Sequence, residues 1–537
     1  MARWSMLFAL VSASALAGAD TLPLPPIPAE VPAKVLPSAP AEWHDYFVHA
    51  READRIADPL KRCLAYPDFP GNHWPAGHAA AHCRYIAGNE VPILGLDAVA
   101  AYLERGDLKG LHTTLDGYLT KHYESGHVDE RLDSFFVQFD AQPRSDELSQ
   151  RWLQQAPGDA YAMLARADYL LDKAWQVRGN KFVRDTSDEQ LENMQALLDR
   201  AEPLFFAAIA ANRRLLPAYV QLLSLAMLEG NDKLGDQVQA DADDQDPADM
   251  ALVRQRLQML TPRWGGSYER MDRYISQLTP QLGQRPVIAI YFAQPYRDKV
   301  TMLPGDGTYG SDAYGSVAAG LLDQAVDAGS LKDALYEAAD VALNRKDAPP
   351  DNWRGLALLL QWSRFRFGKN DAWSAEMIGW RLLREEPEWA LSYLVPASKA
   401  GDHKPYMEYL LGAAYYNAHQ FAAADVHYRN AIKDPAQRQA ALEELSDMWL
   451  NGAGLPRQQA AAKAKPLVDE LLVYYPRDGR GWVYRFEYEA WTGKTMHVED
   501  MKAFLALADR TDPVQQRTAA SFEQLLKHIE NQSGTKH

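Results

Sequence analysis

From about Leu94 to the C-terminus, apolar residues recur three and four positions apart, in segments bounded by Gly, Pro, Asn or Asp. That spacing places them on one face of an α-helix. It predicts helices over Ala160–Val177, Gln190–Arg213, Ala218–Glu229, Ser316–Ala328 and Trp353–Phe367. Alternating, strand-like patterns are scarce. Val287–Phe292 is the one β-rich run, and it is short enough to be a buried helical turn. The pattern therefore predicts an all-α chain of antiparallel helix pairs.

The N-terminus departs from this pattern. Arg3 followed by the apolar run Ser5–Leu16 and the small residues Ala17-Gly18-Ala19 reads as an export signal, with cleavage expected after Ala19. No cysteine follows it, so a lipid-modified N-terminus is not expected. Prolines at 23, 25, 26, 28, 32, 37 and 40 make the next stretch an extended linker. These features divide the chain into a signal peptide (1–19), a Pro-rich linker (20–42), a cysteine-bearing segment (43–93) and two helical domains (94–300 and 301–537). The expected location is periplasmic or secreted.

Charge and cysteine content narrow the chemistry. The 537 residues carry a net charge of -16 with no basic run, which excludes nonspecific nucleic-acid binding through phosphate neutralisation. Beyond the leader no apolar stretch is long enough to span a membrane. The two cysteines, Cys63 and Cys83, most simply form a disulfide in an oxidising compartment. Closing that loop would contribute about 3 kcal/mol by restricting the unfolded chain. His78 and His82, at i and i+4, complete a Cys2His2 set suited to zinc, which is the alternative.

The clearest repeat begins at Pro405. Leu411-Gly412, Tyr415, Ala424, Tyr428, Ala431 and Pro435 resemble the tetratricopeptide (TPR) consensus. Leu445-Ser446, Trp449, Gly452 and Gly454-Leu455 follow in register and resemble its Sel1-like variant. The two glycines are expected to form the turn between helices. Trp353–Pro387 and Arg480–Leu507 read as degenerate copies. In the N-terminal half, Ala174-Trp175-Gln176-Val177-Arg178-Gly179 and Leu260-Thr261-Pro262-Arg263-Trp264-Gly265-Gly266-Ser267 resemble the bacterial domain of unknown function 4034 family over roughly Leu94–Leu278. That resemblance implies a helical, repeat-like domain and no biochemical activity. The residues themselves read as a glycine turn anchored by Trp264, with Ser267 capping the next helix.

The fold expectation is thus a TPR/Sel1-like α-solenoid. Such repeats bind partners along the first helix of each pair, which puts Tyr406, Tyr409, Ala413, Tyr416 and Asn417 on the binding face, followed by Glu443, Asp447 and Asn451. Tyrosines offer rigid amphipathic contact area, and the polar trio forms one helix stripe.

Chemical motifs are few. Gly305-Asp306-Gly307-Thr308-Tyr309-Gly310 spells a dinucleotide fingerprint but lacks the preceding strand, so an inter-repeat loop capped by Ser311 or Asp312 is expected. Asp241, Asp243, Asp244, Asp246 and Asp249 fail the EF-hand order and read as a solvated loop. Zinc-protease, serine-hydrolase and C-x-x-C redox signatures are missing. The expectation is a noncatalytic bacterial cell-envelope protein with no cofactor and no metal, binding a protein or peptide. A narrower form is neutralisation of a secreted toxin, by analogy with Sel1-like envelope proteins. The alternative is a carbohydrate-active enzyme on an α/α toroid.

Overall fold

A computed structural model describes residues 35–124, 128–303, 315–345, 347–367, 372–400, 405–492 and 498–534. The expected leader, the linker as far as residue 34, and the Gly305–Gly310 turn with Ser311 and Asp312 lie outside the described residues. Among those described there are 26 α-helices and no strand. None of the helices is long and apolar enough to cross a membrane.

The helices follow the hydrophobic pattern closely. Ala160–Arg178 starts where the Asp159 carboxylate accepts from the amide of Tyr161, and Asp188–Ala211 opens on a Ser187/Gln190 capping box. Leu216–Glu229, Gly315–Ala328 and Asn352–Arg364 fall on the other predicted segments. Val287–Phe292 lies in a 3-10 helix, Pro286–Ala293, whose apolar side chains are buried almost all round. The β-like composition there marks burial on every side, which needs branched apolar residues whatever the backbone does.

The chain forms two compact units, Ala53–Gly368 and Met1–Glu52 with Lys369–His537, so the residues on either side of 300/301 belong to the same unit. In the Ala53–Gly368 unit, Cys63 and Cys83 are joined by a disulfide. Arg364 fastens this segment from the far end of the unit, donating to the Cys63 carbonyl at 3.0 Å and to Asp68 at 2.7 Å. The sulfurs are therefore committed, and the two histidines serve a hydrogen-bond relay in place of zinc. His78 Nδ1 donates to the Pro286 carbonyl at 2.7 Å, while His78 Nε2 and His82 Nδ1 both meet Ser330 Oγ at 2.7 Å. Burial holds both rings neutral, lowering His78 to about 4 and His82 well below its usual value.

The second unit contains the repeat. Its helices pair as Ala372–Leu382 with Pro387–Lys399, Pro405–Asn417 with Phe421–Ile432, Arg438–Asp447 with Arg457–Tyr474, and Gly479–Trp491 with Val498–Leu507. Each pair packs on the next in sequence order. A small residue recurs on the first helix of each pair, at Gly379, Gly412, Ser446 and Gly481, roughly one 34-residue tetratricopeptide period apart. A Cβ at Gly412 would lie 2.7 Å from the Tyr428 ring, one at Gly379 would lie 2.5 Å from Leu394, and one at Gly481 would lie 2.8 Å from Leu472. The repeat is thus a steric rule: Gly379 and Gly412 let the two helices of their pair touch, and Gly481 gives the same close approach to the second helix of the preceding pair. This is a TPR-like helical-repeat fold.

Two details differ from expectation. Trp353–Pro387 is not one repeat, because Asn352–Arg364 pairs with Lys332–Asn344 while Ala372–Leu382 pairs forward. Of the two Sel1-like glycines only Gly454 has the left-handed backbone of a turn, with φ +63°. Gly452 closes a π-helical turn, Met448–Gly452, and its missing side chain makes room for the Tyr416 ring. At the start of this unit Val35 and Leu36 are fully buried, and Arg51 is held to Glu386 by an ion pair of 2.9 Å shielded from solvent.

Candidate functional site

The first helices of three successive pairs supply the candidate surface, all within the C-terminal unit. On Pro405–Asn417, Met407, Leu410, Leu411, Ala414 and Tyr415 point into the core. Tyr406, Tyr409, Tyr416 and Asn417 are half-buried along another stripe. Tyr406 and Tyr409 stack at 6.1 Å between ring centroids. Tyr409 meets Tyr428 edge-on at 6.0 Å. Ala413 is buried rather than groove-facing, and its carbonyl accepts from Asn417 Nδ2 at 2.9 Å.

Arg438–Asp447 adds the carboxylates. The Tyr416 hydroxyl donates to Asp447 Oδ2 at 3.3 Å, and Asn451 Nδ2 donates to Asp447 Oδ1 at 3.0 Å. Glu443 receives Gln439 Nε2 at 3.2 Å and the Arg480 guanidinium at 3.0 Å. Gly479–Trp491 contributes Arg480, Tyr484 and Glu487, one helical turn apart. The sequence reading overlooked Glu444, Tyr484 and Glu487; the signal for Tyr484 and Glu487 was available in the Arg480–Leu507 repeat, whose first helix carries both, while Glu444 directly follows Glu443 on Arg438–Asp447.

The electrostatics of this face are strained in one direction. Burial, followed by Asp478, pushes the Glu443 carboxyl up to about 7. Burial and then Asp447 raise Glu444 and, after burial, a hydrogen bond from Asn451 only partly offsets the rise at Glu487. Tyr409 and Tyr416 are each pushed up to about 12, by burial and then by Glu444 and Asp447 respectively. Four carboxylates thus share a half-dehydrated surface on which Arg480 and Arg384 supply the positive charge acting on Glu444. Such a surface favours a cation that restores the lost hydration of its carboxylates.

The other sequence candidates sit elsewhere. The Trp264 turn is as read: Gly265 has φ +86°, a Cβ on Gly266 would strike the Leu260 carbonyl, and Ser267 caps the next helix by accepting from Arg270. Trp264 packs edge-on against Trp175 at 5.4 Å, with Arg178 over its face at 5.0 Å. The aspartate cluster is a correction. Asp246 and Asp249 are not in a solvated loop but 2% and 1% exposed: Asp249 caps Met250–Met259 by accepting the Leu252 amide, and Asp246 accepts the Ala248 amide just before it.

No family model matches the chain, and no curated protein is significantly similar to it. Among solved structures, the TPR domain of P58(IPK) aligns with 76% of this chain and 99% of its own length, at 13% identity and a TM-score of 0.23, too loose a likeness to bear on function.

Proposed function

We propose that this is an exported, noncatalytic helical-repeat protein of the bacterial cell envelope that binds a basic segment of a protein partner. The observation that carries the reading is the shared face of Tyr409, Tyr416, Glu443, Glu444, Asp447 and Glu487, where stiff aromatic area adjoins an excess of partly dehydrated carboxylates. Lys or Arg side chains of an extended peptide would meet the carboxylates while their methylene stems lie on the tyrosines. Export is supported by the leader-like residues 1–19 and accords with the Cys63–Cys83 disulfide, since such bonds persist in oxidising compartments. Toxin neutralisation is the narrower form of the reading.

The test is fluorescence anisotropy with a labelled Lys/Arg-rich peptide and an acidic peptide of equal length. The wild-type chain is expected to bind the basic peptide, with affinity falling as salt is raised. The Glu443→Gln, Asp447→Asn double variant should weaken binding at least about tenfold, the loss of one well-formed charge pair. Equal binding of both peptides, or an unaltered affinity in a folded double variant, overturns the reading.

A further inference from the structure

His122 lies more than 120 residues before Asp246 and Asp249 in sequence but meets them inside the Ala53–Gly368 unit, all three buried. One imidazole nitrogen and one oxygen of each carboxylate lie within 4.8 Å of one another. His122 Nδ1 lies 2.9 Å from the Asp129 carbonyl, which can only accept, so Nδ1 carries the proton. In the neutral ring Nε2 then bears a lone pair. That nitrogen faces Asp249 Oδ2 at 3.6 Å, and among the described residues Oδ2 receives no hydrogen bond.

A shared proton or a metal ion can occupy the gap between these two atoms, and the Asp246 carboxylate beside them favours the more highly charged occupant. The remaining atoms are already arranged as supports. Asp249 Oδ1 accepts the Leu252 amide at 2.9 Å, and Asp246 Oδ1 accepts the Ala248 amide at 3.2 Å and a hydrogen bond from Arg285. Backbone groups that fix a histidine tautomer and orient carboxylates are the usual outer shell of a metal site. We propose that His122, Asp246 and Asp249 bind one divalent transition-metal ion, with His122 Nε2 and one oxygen from each carboxylate as ligands. Imidazole with two carboxylates suits Zn²⁺ or Mn²⁺, whose ligand bonds of about 2.0–2.2 Å would draw these atoms, within 4.8 Å of one another, slightly closer around the ion. Calcium and magnesium, which favour all-oxygen sites, fit less well.

Because the site is enclosed, the full-length protein is to be unfolded, freed of metal with chelator, and refolded in Zn²⁺ or Mn²⁺ before excess ion is removed. Bound metal is then counted by elemental analysis, and melting is followed by circular dichroism. One equivalent per chain and a higher Tm than in the metal-free refolded protein are expected. Asp249→Asn retains a helix-capping side chain, and His122→Gln retains a polar one. Both are expected to fold and to lose the equivalent. Should either variant misfold, Asp246→Asn provides the same readout. Wild-type protein that refolds without taking up metal, or folded variants that keep the full equivalent, overturns the assignment. Neither result depends on peptide binding.

Discussion

The tyrosine stripe of the C-terminal unit and the interior of the Ala53–Gly368 unit are both rich in carboxylates, but solvent reaches only the first. At the stripe, Glu443 accepts from Arg480 and Gln439 and Asp447 from Tyr416 and Asn451, and neither residue is fully buried. In the interior, Asp168 is 5% exposed and neither oxygen has a hydrogen-bond partner. Burial, and then Asp133 and Asp172, raise its carboxyl well above the usual range. The same functional group is therefore able to meet a cation where solvent reaches it, and a liability where neither water nor a counter-charge does. Arg51 and Glu386 form a third case, buried but paired.

These settings predict effects of different size and sign. Arg51→Ala should have the largest, lowering stability by about 3–5 kcal/mol in denaturant unfolding, because it leaves Glu386 buried without its counter-charge. Asp168→Leu should do the reverse and stabilise the protein by roughly 1–3 kcal/mol at pH 8 by removing an unsatisfied buried group. The pH dependence follows from the direction of the shift. A carboxyl raised in the folded state destabilises the fold once the unfolded chain ionises, so the benefit should shrink as pH falls toward about 4. An equal gain at both pH values would place the charge elsewhere.

At the exposed face the effects on folding are smaller. Tyr416→Phe should cost about 0.5–1.5 kcal/mol, the net worth of its hydrogen bond to Asp447. Glu443→Gln should leave stability nearly unchanged at about pH 4 and raise it modestly at pH 8, because a carboxyl held above its usual range costs stability once ionised. It should also flatten a binding profile: with Glu443 held near 7, the wild-type affinity for a basic peptide should rise between pH 6 and pH 8 as the carboxylate ionises. A profile that persists in Glu443→Gln would assign the titration to another group.

The repeat was readable because its cause is local. Gly412, Ala424 and Ala431 mark helix contacts within one pair, and the same requirement returns at Ser446 one period later. The candidate face followed from that register for Tyr406, Tyr409, Tyr416, Asn417, Glu443, Asp447 and Asn451. Ala413 did not conform, since neighbouring helices close over it. The aspartates near 246 looked solvated for a comparable reason: acidic side chains in sequence usually face water, and no local pattern shows that His122 and Arg285 will meet them.

The sequence by itself determined the all-helical class, the approximate course of the main helices and the repeat period, and it favoured a disulfide over zinc for the cysteine pair. Each depends on residues within one or two helical turns, or on a simple pairing in the absence of other thiols. Only the tertiary structure decided that Gly452 accommodates Tyr416, that Ser330 links two histidines, and that Asp249 faces His122 inside the unit. Those outcomes arise from contacts across more than 30 residues, where packing and desolvation set the environment of a side chain and its own neighbours in the chain do not.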